Sequence, residues 1–351
     1  MSIDMHTPVR DLTPEHSKEH FPKLASSEIA NLWTQYMNDS MAVCWITHAL
    51  KHAQDQDVRG ILAFALELST AHIRSITDFF RQDGFPLPQG FTEADILNPD
   101  APPLFTDIFM LNYFYVMTLI GLTSYAGALS TSVRSDQRAY FVQCQNETMQ
   151  LYNRIVDTML QKGIYFRTPN ITPPTGVDFV EKQSYLTGWF GKRRPFNAIE
   201  MSGVYYNMAK LVVKIVLEIG FSQVVQSEDL RKYLQRGAKL CEKQFQDLSS
   251  MLSDDNLPSP RKLQSEITNA TEPALSDKLM MYHIVTLISA SAGFYGAGLS
   301  VAQRRDMAVK YAEFIAEMGV FAEDGINLLI ERGWLEQPPG AVDREALANQ
   351  K

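Results

Sequence analysis

DVRGILAFALELSTAHIRSITDFF, residues 57–80, and DLRKYLQRGAKLCEKQFQDLSSML, residues 229–252, together decide the fold. In the first, Ile61, Ala65, Leu68, His72, Ile76 and Phe79 advance by 4, 3, 4, 4 and 3 residues. Those steps put all six on one face of an α-helix. The second stretch opens on the same pattern of Asp, an apolar residue and Arg, 172 residues later. At that offset Glu28 also meets Glu200, and Pro86 meets Pro258. Farther along, an offset of 170 pairs Asp107 with Asp277, Tyr125 with Tyr295, Glu147 with Glu317 and Gly163 with Gly333. A fixed period of this length is the mark of a duplicated structural unit.

Proline punctuates both copies. It is absent between Pro22 and Pro86, Pro103 and Pro169, Pro195 and Pro258, and Pro273 and Pro338. Proline breaks helix interiors, and each proline-free window is about twice the length of a long helix. Four helical hairpins, eight helices in all, fit the spacing. No window alternates with period two for long, so the class is all-α. The stretches LQKGIYFRTP, residues 160–169, and IERGWLEQPP, residues 330–339, end the fourth helix of each unit. Their glycines suit a left-handed cap, and the prolines forbid continuation. The units are assigned to residues 24–168 and 196–340, with a linker at 169–195.

The connection from the second to the third helix of the first unit, Gly84 to Pro103, has 20 residues. Fully extended it spans roughly 66 Å, against roughly 40 Å for a long helix. It therefore permits the single long crossover of a ferritin-like bundle, although an up-down bundle with a decorated loop fits too. The third helices, Ile108 to Val133 and Ile284 to Val301, carry no charge. Their length would allow a membrane span. Scattered Asn112, Thr118, Thr123 and Ser124 favour a buried helix instead, and no membrane span is predicted. Such a helix would face its own bundle on one side and the other repeat, or a second subunit in a homodimer, on the other. Ala126, Gly127 and Ala128, with Gly296, Ala297 and Gly298, would let helices approach closely there.

The formal charge of −8 argues against nucleic acid as a partner, because phosphate binding needs a basic footprint. Lys192, Arg193 and Arg194 form one short basic cluster, read as a solvated loop. Cys44, Cys144 and Cys241 lack metal-like spacing, and an odd count points to reduced thiols in a cytoplasmic protein. The first twenty residues have no apolar region of the secretory kind.

The phrases EIANLWTQYMNDSM, FPLPQGF, RSDQRAYF, FNAIEMSG, ALSDKLMMYHIVTLI, YGAGLSVAQRRDM and INLLIERGWLEQPP resemble the two-repeat form of the DUF3231 family. The likeness runs from about residue 24 to 345. It implies four-helix proteins similar to ferritin-like and spore-coat-F-like bundles of Bacillus-type, spore-forming bacteria. It implies no established activity and supplies no catalytic residues.

A di-metal ferritin-type centre needs Glu-x-x-His on two helices, so that both side chains reach one point. No Glu here has His three residues later within a helix. A reduced site remains at His72, Glu147 and Tyr36, which a crossover topology would put at similar height. Iron or manganese would be its metal; a histidine bonded to the carboxylate or the tyrosine, without metal, is the structural alternative. The second repeat has Gln244, Glu317 and Met208 there and loses the imidazole. His48 and His52 are spaced for one helix face but expected to be exposed. His283 is expected to make a helix-terminal hydrogen bond. Glu28, Glu200, Asp107 and Asp277 each start a helix, where a carboxylate suits the dipole. No phosphate loop, nucleophile elbow or Cys-His pair is present.

The expected function is therefore a non-enzymatic structural or binding protein, with a role in sporulation or stress and a forespore or spore association. The alternative is a degenerate metal-binding oxidase or small-molecule sensor using the first bundle. A carrier of apolar ligands is a third reading, resting on 15 Met and 19 Phe, which core packing also explains.

Overall fold

The computed structural model describes residues 22–188 and 193–349. The first twenty residues and Lys192 lie outside them. Eight long helices form four hairpins: α1 Ser26–His52 with α2 Gln56–Asp83, α3 Asp107–Ser130 with α4 Ser135–Gln161, α5 Ala198–Val224 with α6 Glu228–Asp254, and α7 Asp277–Val301 with α8 Arg305–Glu331. A short α9, Arg344–Ala348, follows. Each hairpin lies inside one proline-free window. Among the described residues there is no strand, only two isolated bridges. Gly163 and Gly333 both sit at φ 66°, in the left-handed conformation that ends α4 and α8.

The helix directions are fixed by contacts at both ends of the bundle. Ser27 Oγ, at the start of α1, donates to Thr131 O, just past α3, at 2.8 Å. Asp107, at the start of α3, accepts from the Gln54 and Asp55 N–H groups between α1 and α2, at 2.9 and 2.7 Å. Thus α1 and α3 are antiparallel, and the chain from 84 to 106 runs the length of the bundle. Residue 24 N–H meets Asp83 at the other end, 2.6 Å away. The second unit repeats this: Asp277 accepts from Gln226 and Ser227, and Phe196 N–H donates to Asp255.

The recurring carboxylates do more than favour a helix dipole. Glu28 accepts from the Val133 and Arg134 N–H groups, both at 2.8 Å, and so ties the start of α1 to the α3–α4 turn. Glu200 does the same with Gln303 and Arg304. Beside them Arg134 pairs with Asp83 and Asp136, and Arg304 pairs with Asp255 and Asp306. Arg194, expected in a solvated loop, instead reaches the fully buried Glu200 at 2.7 Å. A buried carboxylate demands such a partner.

The two units meet around a pseudo-twofold axis. Their crossovers pair backbone to backbone: Thr268 N donates to Leu104 O and Thr106 N to Glu266 O, both at 3.0 Å. Tyr113 and His283, equivalent at the 170 offset, meet across the axis, with Tyr113 OH 3.0 Å from His283 Nε2. Trp45, Phe105 and Phe221 pack around the pair. The third helices therefore touch through this pair, while α3 packs more extensively against α5 of the other unit. His283 does not make the helix-terminal hydrogen bond expected of it. Helices α3 and α7 are long and apolar enough to cross a membrane by length and composition. Phe109, Tyr113, Phe114 and Val116 of α3, and Leu279, Met281, Ile284 and Ile288 of α7, are buried in the core.

Burial holds His283 neutral, with its pKa lowered to about 3. The unfolded chain binds this proton near pH 6.5 and the folded one does not, so stability falls as pH drops through that range. His283 should lower stability by about 3 kcal/mol between pH 7 and pH 4. Urea unfolding of the wild type and His283→Phe at both values checks this. An equal loss in the two proteins would exclude the effect.

Candidate functional site

Four helices of the first unit converge on His72. It projects from the apolar face of α2 and is buried. From α4 come Glu147 and Cys144, one turn apart, and from α1 come Gln35 and Asp39, also one turn apart. Tyr125 of α3 closes the group. His72 Nε2 lies 2.9 Å from Glu147 Oε2. Its Nδ1 lies 3.3 Å from Asp39 Oδ2, within ion-pair range but without hydrogen-bond geometry. Gln35 Nε2 donates to Tyr125 OH at 3.3 Å and to Cys144 Sγ at 3.7 Å. Gln143 Nε2 holds the other Glu147 oxygen at 2.8 Å.

Burial alone would lower the pKa of His72. Its contacts with Asp39, Cys144 and Glu147 outweigh that and push it up to about 12. The ring is an imidazolium at neutral pH, flanked by two carboxylates. His72 in turn holds Glu147 below the usual carboxylate range. Donor atoms of His72, Cys144 and Glu147 lie within 4.8 Å of one another, a spacing a metal ion can bridge.

Asp39 and Gln35 also line a cavity of about 630 Å³ between α1 and α3. Met41, Trp45, Phe114, Met117 and Phe141 form its apolar wall, Asn31, Asn38, Ser69 and Thr118 add polar groups, and one end reaches His283 and Leu287 of α7. The cavity divides the core of the first unit. Leu32, Ile76, Phe80, Phe141 and Cys144 form a separate cluster at the outer end, while the remaining core is continuous with that of the second unit.

Repeat arithmetic shows what the second unit holds at the equivalent positions. Asn38, Ala42 and Ser124 of the first unit correspond to Lys210, Lys214 and Phe294. All three of those larger side chains are buried in the second unit. At the outer end Asn31 and Ala128 correspond to Gly203 and Gly298. A methyl group on Gly203 would lie 3.5 Å from Gly298 Cα, so α5 and α7 run in backbone contact. Of the two small-residue runs, Gly298 makes such an approach, whereas Ala126 and Gly127 are exposed. The site itself is also rewritten. Gln244 donates to Glu317 at 2.9 Å and accepts from Tyr295 OH at 2.6 Å. Leu211 stands in the place of Asp39.

The other histidine and tyrosine candidates fall elsewhere. Tyr36 does not join His72: its ring lies under the crossover, 3.0 Å from where a Gly90 Cβ would be. Asp39, three residues on, takes the inward position because that is the face α1 turns to α2 and α4. His48, expected to be exposed, is buried, and Nε2 bonds Ala101 O at 3.0 Å. The crossover covers the end of α1 and shuts out solvent. His48 and His52, rings 4.7 Å apart, line a second cavity of about 420 Å³ beside Trp45 and Phe221. The three cysteines are free and buried.

Sequence reasoning missed Asp39 and Gln35. A signal existed: Leu32, Gln35, Asp39, Ala42 and Ile46 advance by 3, 4, 3 and 4 residues. Two polar residues on an otherwise apolar face mark a polar patch in the core.

No curated protein matches the sequence. A crystal structure described as a putative spore coat protein from Bacillus halodurans C-125 is similar at 19% identity and a TM-score of 0.38, covering 45% of this chain and 98% of its own. The family described as "Protein of unknown function (DUF3231)" matches residues 16–177 and 184–347. Two copies of that family's unit thus account for nearly the whole sequence, and the chain belongs to the DUF3231 family.

Proposed function

We propose that the protein is a non-enzymatic small-molecule binder or sensor, with the site in the first bundle and the second bundle as a closed scaffold. The reading is carried by one observation: the first unit holds a cavity of about 630 Å³, and the second fills the same place with Lys210, Lys214 and Phe294. A cavity of this size, with an apolar wall and convergent polar groups, suits a small organic ligand. The bundle is read as ferritin-type because its single crossover has that connectivity.

A second reading is a divalent metal at His72, Cys144 and Glu147. The nitrogen, sulfur and oxygen donor set suits zinc better than iron or manganese. Asp39 would then orient the ring through Nδ1, as carboxylates do beside metal-bound histidine. Binding would have to displace the imidazolium proton.

Native mass spectrometry of protein purified without chelators or an affinity metal column separates the two readings. The cavity reading expects an organic adduct on the wild type that is lost in Ser124→Phe. The metal reading expects an ion adduct that survives Ser124→Phe and is lost in His72→Ala. A bare chain that gains no adduct from small-molecule extracts or added metal would sink both.

A further inference from the structure

We propose that the cavity of about 420 Å³ between the two units is a second ligand site, for a neutral, elongated, largely apolar molecule with one hydrogen-bond acceptor at its inner end. It is separate from the first-bundle cavity, and Trp45 alone lines both.

The shape comes from the end of α1. Trp45, Ala49 and His52 advance by 4 and 3 residues along one helix face, and all three line the cavity. Seven residues of helix span roughly 10 Å. Phe105 of the crossover and Phe221 of α5 add rings from the two units. Trp45, Phe105, Met110, Phe221, Leu275 and Met280 are buried and make one end apolar. Gln54, Pro102, Ile108 and Glu272 are exposed and mark the mouth. The repeat is broken here. At the 172 offset Trp45, His48, Ala49 and His52 correspond to Leu217, Gly220, Phe221 and Val224. A methyl group on Gly220 would lie 2.5 Å from the Phe105 ring, so that side is packed tight, whereas Ala49 leaves space where α5 carries a phenyl ring.

The polar groups select the ligand class. Asp107, Glu266 and Glu272 line the cavity, and no lysine or arginine does among the described residues, which excludes an anion. The carboxylates do not call for a cation either. Asp107 Oδ2 accepts from the Gln54 and Asp55 N–H groups, and Glu266 accepts from Thr106 Oγ1 at 2.7 Å and Arg261 at 3.3 Å. Glu272 is exposed to water. His48 Nε2 is spent on Ala101 O. A charged head taken to the apolar end would lose its water and meet no counter-ion. Two ring nitrogens on the cavity-lining residues remain: Trp45 Nε1 and His52 Nε2 are buried without a hydrogen bond. An indole N–H only donates, so the partner missing at the inner end is an acceptor, such as a carbonyl oxygen.

Three probes with one body and different heads test the proposal: benzylacetone, hydrocinnamate and phenylpropylamine. In titration calorimetry on the full chain the ketone should bind about tenfold more tightly than either ion. Ala49→Phe, which gives α1 the ring that α5 carries, should abolish ketone binding. Ser124→Phe, which fills the first-bundle cavity, should leave it unchanged. Thermal unfolding shows whether Ala49→Phe is folded, and the smaller Ala49→Leu gives a second route, weakening the ketone several-fold. Trp45→Phe keeps a ring and removes the donor. It should weaken the ketone about fivefold, the worth of one hydrogen bond, and erase the downward shift of the bound carbonyl's infrared band. No ketone binding, or binding lost in Ser124→Phe and kept in Ala49→Phe, overturns the site. An ion that binds as tightly as the ketone overturns the neutral class. An affinity and a carbonyl band unchanged in Trp45→Phe overturn the acceptor contact.

Discussion

Glu218→Ala is expected to destabilise the protein by about 3–5 kcal/mol. Lys214 and Glu218 form an ion pair one turn apart on α5, with side chains 1% and 0% exposed. The other polar neighbour of the ammonium is Cys241 Sγ, 3.5 Å away. Removing the carboxylate strands a charge in the core, and the lysine then sheds its proton on folding. An amine neutral in the folded state and charged in the unfolded one makes stability rise with pH, so the defect should shrink between about pH 7 and about pH 9. Lys214→Met with Glu218→Leu should remain within about 1 kcal/mol of the wild type, because apolar side chains of similar volume replace both charges. Urea unfolding of the three proteins decides the matter. A Glu218→Ala loss below about 1 kcal/mol would mean that water reaches the pair.

The second large effect concerns the site. His72→Gln alone should cost about 3 kcal/mol, because it removes the cation between Asp39 and Glu147. The second unit already shows how the position is rebuilt without charge, with Gln244 opposite Glu317 and Leu211 in place of Asp39. His72→Gln combined with Asp39→Leu should therefore recover most of the loss, leaving a coupling of about 2 kcal/mol between the two positions. A double mutant as unstable as the sum of the single ones would deny the Asp39–His72 interaction. If the double variant is as stable as the wild type yet loses the ligand, the triad is kept for binding rather than for the fold.

Much of the architecture was legible in the sequence because it depends on local signals. Proline-free windows set the hairpins, glycines before proline set the ends of α4 and α8, and the paired offsets exposed the duplication. His72 and Glu147 could be brought together on paper, since their heights follow from helix length once the connection is taken as a crossover. The capping role of Glu28 was partly visible. Its grip on the α3–α4 turn was not, because that turn lies more than a hundred residues away.

Tyr36 and Asp39 show where such reading stops. Both lie on α1 less than one turn apart, and periodicity alone does not say which of two adjacent faces turns inward. Helix packing decides that, through the angle at which α1 meets α2 and the crossover. The same holds for His48, whose burial depends on a connection folding back over the end of α1.

By itself, then, the sequence determined the helices, their pairing into hairpins and their duplication, all consequences of spacing along the chain. The tertiary structure alone decided that the first copy keeps a cavity between α1 and α3 where the second buries Lys210, Lys214 and Phe294. Phe294 and Lys210 could have pointed outward from sequence considerations, and Ser124 and Ala42 could have been compensated by neighbours. A cavity is the difference between the volume enclosed by four helices and the side chains that enter it, and that difference exists only once the helices are packed.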